Sequence, residues 1–183
     1  VKNLLKKYKI SLAILKNRKL IKKNIQSNAR EVRYELLSKY CQKKKIKTIL
    51  TAHNLEDQVE TFFIRLSRGS GLQGLSSMKQ VDKINEGINL ARPLLNFKKI
   101  QLIKISKTIF GKFYNDPTNK NQKYLRTRIR NLKNKIEESG ISYDKIFKSI
   151  QNLASSRDTL NLYFDKVYKE IVSRKKEIIL IDL

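Results

Sequence analysis

The residues best suited to chemistry lie in one stretch, Thr51-Ala52-His53-Asn54-Leu55-Glu56-Asp57-Gln58-Val59-Glu60-Thr61. With a helix starting at His53, a turn of 100° per residue brings His53, Asp57 and Glu60 within about 60° of one another. Leu55, Val59, Phe62, Phe63 and Leu66 then form an apolar stripe on the opposite side. Such a helix packs on a sheet and turns one imidazole and two carboxylates outward. Paired carboxylates suit Mg²⁺, which prefers oxygen ligands and bridges to phosphate. The imidazole could hydrogen-bond a phosphate or move a proton. The same spacing also fits an ordinary helix N-terminus, where the macrodipole favours acidic residues and a lone histidine is structural. Spacing alone leaves both readings open.

The next segment, Arg65-Leu66-Ser67-Arg68-Gly69-Ser70-Gly71-Leu72-Gln73-Gly74-Leu75, is basic and glycine-rich. Glycines let backbone amides approach an anion, and arginines supply fork-shaped donors. It lacks the Gly-Lys-Ser/Thr ending of a Walker A loop.

These residues need elements to hold them. The pattern predicts a helix end at 2–9, a short strand at Ile10–Leu15, a helix over Asn24–Lys45 and a buried strand over Lys47–Ala52. It continues with a helix over Asn54–Ser67, a strand over Gly87–Leu95, and a helix over Phe97–Phe110 that stops at Gly111. A turn at Asn115–Thr118, helices over Asn121–Glu138 and Ser142–Val172 with a break near Gly140, and a strand over Glu177–Ile181 complete the chain. Alternating strands and helices imply an α/β fold with a parallel sheet, whose ligands sit beyond the carboxyl ends of the strands.

Lysine plus arginine is 41 of 183 residues and aspartate plus glutamate 16, a net charge of +25. Residues 1–50 carry +14 and residues 101–150 carry +8, whereas residues 51–100, with the carboxylate cluster, carry +2. Basic flanks around a local acidic site suit an enzyme that grips a polyanion. Thirty of the 41 are lysines, so a compositional bias toward solvated lysine explains the bulk charge equally well. The single cysteine, Cys41, excludes an internal disulfide and a cysteine-rich metal site, and a reducing cytoplasm is the expected compartment. No apolar run approaches the ~20 residues of a membrane span, and no stretch reads as a signal peptide.

Tyr124–Ile136 reads as a basic amphipathic helix. Leu125, Ile129, Leu132 and Ile136 form its apolar stripe, with Lys123, Arg126, Arg130 and Lys133 on the neighbouring face. Arginines at helical spacing can follow a phosphate backbone. A solvated surface helix is the plainer reading. Farther on, Tyr143, Ile146, Phe147, Ile150 and Leu153, then Leu160, Tyr163, Phe164 and Val167, suit core packing better than base stacking.

In order along the chain, these stretches resemble the tRNA(Ile)-lysidine synthases of the N-type ATP-pyrophosphatase (PP-loop) superfamily. Asn28–Tyr34 is similar to that family's AR-x-x-RY helix and Thr51–Thr61 to its AH-x-x-DD-x-x-ET segment. Arg68–Met78 resembles its RGSG-x-x-GL-x-x-M loop, and Arg92-Pro93-Leu94-Leu95 its RPLL strand. Asp116–Asn119 and Tyr124–Arg130 resemble its DPSN and RN-x-IR segments. The resemblance implies a partial Rossmann-like sheet of the PP-loop type over residues 1–120, followed by a helical extension over 121–183 toward a tRNA-binding region. It also implies a ligase that adenylates C2 of the wobble cytidine of tRNA(Ile) with ATP and Mg²⁺, after which the amine of free lysine displaces AMP.

Carried over residue by residue, the resemblance makes His53, Asp57 and Glu60 catalytic, with Asp57 and Glu60 as Mg²⁺ ligands. Arg68, Gly69, Gly71, Asp116 and Arg126 bind nucleotide and substrate. Lys123, Arg128, Arg130 and Lys133 are expected to face tRNA. Glu56 stands for the first Asp of the DD pair, Thr118 for Ser and Thr127 for Asn. The family's SGG-x-DS phosphate loop and HGLR-type element do not occur in these residues. The chain therefore reads as an N- and C-terminally truncated copy, expected to be inactive alone. It is either one half of a split enzyme, needing a separate chain with the phosphate loop, or a remnant that at most binds RNA. A homodimer is a further option. A thiolase of the same superfamily is disfavoured, because such relatives commonly use paired cysteines.

Overall fold

The computed structural model describes residues 2–17, 25–85, 87–114, 121–175 and 178–181. They fall into two compact units, and neither is continuous in sequence: one comprises Val1–Thr51 with Val81–Ala91, the other Ala52–Gln80 with Arg92–Leu183.

The first unit holds helices α1 (Lys2–Lys7) and α2 (Ile25–Lys43) and strands β1 (Thr48–Leu50), β2 (Val81–Asn85) and β3 (Ile88–Ala91). β1 pairs in parallel with β3, placing Ile49 opposite Leu90, and Thr51 N–H extends the ladder to Ala91 C=O at 2.9 Å. β2 pairs antiparallel with β3. The sheet is therefore mixed, in the order β1-β3-β2. Its parallel pair was expected from the sequence; its antiparallel strand was not. Val81-Asp82-Lys83-Ile84-Asn85 gives no apolar signal, and its first three residues are exposed. Ile88 and Leu90 point inward and are buried with Cys41 of α2. β1 is an edge strand among the described residues, with Ile49 half-buried and Leu50 exposed, so it is not the buried strand expected. Ile10–Leu15 forms no strand either: among the described residues no strand pairs with it, and Ile10, Leu12 and Ile14 are exposed.

The second unit contains α3 (Leu55–Leu66), α4 (Leu72–Leu75), α5 (Lys99–Phe110), α6 (Leu125–Asn131), α7 (Lys133–Glu138), α8 (Tyr143–Ile171) and the ribbon β4 (Val172–Lys175)–β5 (Ile178–Ile181). Its core joins α3 to α8: Leu55 and Val59 pack with Tyr143, Ile146 and Ile150, flanked by Phe62, Phe63, Ile136 and Phe147. The spacings, four on α3 and then three and four on α8, put each set on one helical face. Full burial of each such aliphatic side chain stabilises by about 1.5–3 kcal/mol. Gly111 ends α5 in the left-handed conformation (φ 72°), as a C-cap glycine should. β3 stops at Ala91, short of the expected Leu95, because Pro93 has no amide to donate to a ladder. The helix expected over 121–138 breaks at Leu132, which caps both α6 and α7 and leaves its side chain 46% exposed. The expected turn at 115–118 lies outside the described residues.

Candidate functional site

α3 begins one residue later than its apolar pattern suggested. Asn54 is the N-cap: its Oδ1 accepts from the Asp57 amide at 3.0 Å, while Asp57 Oδ2 accepts from the Asn54 amide at 3.0 Å. This reciprocal capping box satisfies two otherwise orphaned donors. His53 therefore precedes the helix, and the helical angle that grouped it with Asp57 and Glu60 does not apply. Glu56 takes up the start of the next long helix: its Oε2 accepts from the Lys99 amide of α5 at 2.8 Å. Its other oxygen lies 3.7 Å from Lys133 Nζ.

Glu60, one turn farther, is the centre of the arrangement. Its side chain is only 2% exposed, yet it carries a carboxylate. Arg130 donates from Nε to Oε1 at 2.6 Å and from Nη2 to Oε2 at 2.9 Å. Arg126 donates from Nε to Oε2 at 3.0 Å and from Nη2 to Thr61 Oγ1 at 3.2 Å. A buried charge is tolerated only when paired and hydrogen-bonded, and here both oxygens are taken. The hydrogen bond to Glu60 pushes the Arg130 pKa up, against the opposing effect of burial. The second oxygen of Asp57 lies 3.9 Å from Arg126. α6 thus lays two guanidiniums, one turn apart, over the carboxylates of α3.

Beside this cluster opens a cavity of about 510 Å³, lined among others by Asn54, Asp57, Glu60, Lys99, Arg130 and Lys133, with Ile100 and Ile103 as an apolar wall. Tyr143 closes it, under the ammonium of Lys133 at 5.0 Å from the ring centre. Burial first, then the nearby carboxylates led by Glu60, pushes the Tyr143 hydroxyl up to about 12. That hydroxyl has no hydrogen-bond partner among the described residues. Carboxylates on one side and ammonium and guanidinium groups on the other suit a ligand that carries both charges, or two ligands of opposite charge.

The glycine-rich segment forms a turn held against α3 by side chains that the spacing argument did not single out. Arg65 donates to Gly74 C=O at 2.7 Å and to Ser77 C=O at 2.9 Å. Gln58, 5% exposed, binds both the amide and the carbonyl of Met78, each at 2.8 Å. Gly69 adopts φ +68°, which favours glycine. A Cβ on Gly74 would lie 2.5 Å from Ser70 Cβ. Arg68 is exposed.

The structure thus gathers Asp57, Glu60, Arg130 and Lys133 around one cavity, with Arg126 bound to Glu60 but not lining it. Half-buried His53 does not line that cavity, and neither do Arg68, Gly69 or Gly71. Asp116 lies outside the described residues. Of the residues expected to face tRNA, Lys123 and Arg128 are exposed, while Arg130 and Lys133 turn toward the acids of α3. The Mg²⁺ pair does not fit this geometry. Glu60 is saturated by arginines, and the described residues hold no group of three or more His, Cys, Asp or Glu side chains able to bind a metal. Among the described residues, no helix is long and apolar enough to cross a membrane.

The sequence is 38% identical over 153 residues to a tRNA(Ile)-lysidine synthase of Wolbachia pipientis wMel, covering 84% of this chain and 35% of that one. It is 47% identical over 109 residues to the tRNA(Ile)-lysidine synthase of Orientia tsutsugamushi (strain Boryong), covering 60% of this chain and 24% of that one. The chain therefore spans about a third or less of these curated relatives. Among solved structures, the U34-tRNA thiolase NcsA from Methanococcus maripaludis with its [4Fe-4S] cluster aligns with TM-score 0.63 at 16% identity, over 82% of this chain and 53% of that one. At that identity the likeness concerns the fold. The model of the PP-loop domain matches residues 1–136, from α1 to within α7, and with three-quarters of its length inside that match the chain belongs to the PP-loop domain family.

Proposed function

We propose that this chain supplies the substrate-handling body of a tRNA(Ile)-lysidine synthase. In this reading it acts in the cytoplasm on ATP, free L-lysine and tRNA(Ile) with a wobble cytidine. The observation that carries the reading is the Glu60–Arg126–Arg130 cluster. It joins segments 66 and 70 residues apart that the lysidine-synthase resemblance had already marked, and it borders a cavity of mixed charge.

The reaction needs two opposite recognitions in one place. ATP and the adenylated cytidine carry phosphate; lysine carries an ammonium. Lys99, Lys133 and the exposed part of Arg130 supply the cationic side, where fixed positive charge stabilises the negative charge that builds on phosphate. Glu56 and Asp57 supply the anionic side, which attracts the lysine ammonium. Glu60 acts through the two guanidiniums it holds rather than on substrate. The cytidine O2 attacks the α-phosphorus, and pyrophosphate leaves. In this reading the bound lysine ammonium first gives a proton to Asp57; the free amine then attacks C2, AMP leaves, and the second proton of the attacking nitrogen passes to solvent. Mg²⁺ enters as the companion of ATP phosphate, and no step is assigned to a resident ion.

Lysine-dependent pyrophosphate release tests this, using tRNA(Ile) against the same tRNA with uridine at the wobble position. The 183 residues alone give no turnover, because no SGG-x-DS cradle is among them. Supplying that loop on a fused or separate segment gives release that needs both lysine and the wobble cytidine. Release that ignores either one, or none with the loop supplied, refutes the reading.

A further inference from the structure

α8 does more than pack on α3. Two turns beyond Ile150 it carries Arg157, which is 4% exposed and is the lone arginine between residues 131 and 173, a span with six lysines. Its Nη1 donates to Ser76 Oγ at 2.6 Å, and Ser76 is itself 1% exposed. Ser76 Oγ passes the bond on, donating to Gln73 C=O at 3.1 Å. One turn along α8, Asn161 Oδ1 accepts from Gln73 Nε2 at 3.1 Å. The guanidinium's charge is met from the solvent side by Asp158, which accepts from Nε and Nη2 at 2.9 Å each. A guanidinium whose buried partner is a neutral hydroxyl costs desolvation that an aliphatic side chain would not. What it gains is direction, since the planar fork fixes where Ser76 stands.

We propose that Arg157 is a positioning residue through which α8 fixes the shape of the Arg68–Ser76 turn. Arg65 holds the turn from the α3 side, at Gly74 and Ser77; Arg157 holds it from the α8 side, at Ser76. Because Tyr143, Ile146 and Ile150 of the same helix pack on α3, a single rigid element sets both the carboxylate cluster and the glycine turn. The proposal rests on the lysidine-synthase reading only for what the turn acts on, since the resemblance puts Arg68, Gly69 and Gly71 by the nucleotide and the wobble cytidine.

The test compares Arg157→Gln, Arg157→Lys and the solvent-side control Asp158→Asn in the 183-residue chain. Hydrogen exchange is followed over 68–77 and over 55–66, together with binding of tRNA(Ile) carrying wobble cytidine or uridine. Arg157→Gln is expected to speed exchange over 68–77 about tenfold, as loss of one charge-assisted bond implies, and to leave 55–66 within about twofold. Arg157→Lys restores most of that protection, since its ammonium still reaches one oxygen, and Asp158→Asn changes little. Affinity for the cytidine tRNA falls severalfold, while affinity for the uridine tRNA stays within about twofold of wild type. Equal acceleration over 55–66 marks a merely structural residue and overturns the proposal. Unchanged exchange over 68–77, or a loosened turn with the preference intact, overturns it too. A wild-type chain with no cytidine preference sinks the lysidine-synthase reading instead. In that case turn-limited exchange upholds the role of Arg157 and its absence overturns it.

Discussion

Burial of the Glu60 carboxylate leads to an inequality that can be measured. Replacing both arginines (Arg126→Ala with Arg130→Ala) leaves a 2% exposed carboxylate with neither of its guanidinium partners. Stranding a buried charge costs about 3–5 kcal/mol. Replacing the acid instead (Glu60→Ala) leaves two guanidiniums that are 35% and 31% exposed and can turn to water. That change costs about 1–2 kcal/mol, mostly as lost charged hydrogen bonds. The revealing variant combines the two arginine changes with Glu60→Leu. It removes every polar partner, yet it is expected to be more stable than the double variant by about 2 kcal/mol, because no unpaired charge remains buried. Urea unfolding monitored by circular dichroism reads this directly: at slopes of about 1–3 kcal/mol/M, the midpoints separate by roughly 1 M with the slope unchanged. Among single variants, Arg130→Ala costs more than Arg126→Ala, since Arg130 makes two of the three bonds to Glu60. A triple variant no more stable than the double would falsify the argument, since the carboxylate would then not depend on its cations.

Tyr143→Phe removes a buried hydroxyl that has no partner among the described residues, so stability at pH 7 holds or rises slightly in thermal melts. The folded tyrosine keeps its proton to about 12 against an ordinary 10.0, so its share of the stability is complete below pH 10 and disappears as pH climbs toward 12. The phenylalanine variant should lack that part of the alkaline decline; an identical decline in both proteins would count against it. Gly74→Ala forces a Cβ to within 2.5 Å of Ser70 and should destabilise by about 1–3 kcal/mol. Gly71→Ala, with open space around its Cβ and φ −80°, is expected to be nearly silent; equal losses in the two melts would refute the packing account. Arg128→Ala weakens RNA binding uniformly and flattens the salt dependence of log K by just under one unit. An unchanged slope would remove exposed Arg128 from the interface.

α3 was legible in the sequence because Leu55, Val59, Phe62 and Phe63 recur at helical spacing, and a helix with that stripe has one face to bury. The end of α5 was legible because Gly111 follows the last periodic residue. β2 was not, since a short, polar, half-exposed strand leaves no periodic trace and is defined by its partner β3. The site divides in the same way. Asp57 and Glu60 stood out as carboxylates on one helical face, but a carboxylate that binds substrate and one that holds arginines look alike in a sequence. The basic face of α6 was read as turned toward RNA. Three cations, Arg126 and Arg130 of α6 and Lys133 of α7, turn instead toward acids 66 to 77 residues earlier, a pairing that no local pattern reports. Gln58 and Arg157 went unnoticed because they bond parts of the chain 20 and 81 residues away, and Arg65, read as an anion donor, holds the carbonyls of Gly74 and Ser77 instead.

The two guanidiniums on α6 also act as a ratchet stop. They are four residues apart, so sliding α6 by one helical turn, about 5.4 Å, would bring one arginine into the other's seat. The positions four residues beyond the pair, Gln122 and Asn134, lie outside α6 and carry neutral amides, so the vacated seat would go without a cation. Either slip halves the countercharge over a dehydrated anion. The acid therefore indexes the helix as a keyway indexes a shaft, and the spacing between α3 and α6 is chosen among discrete settings rather than along a continuum.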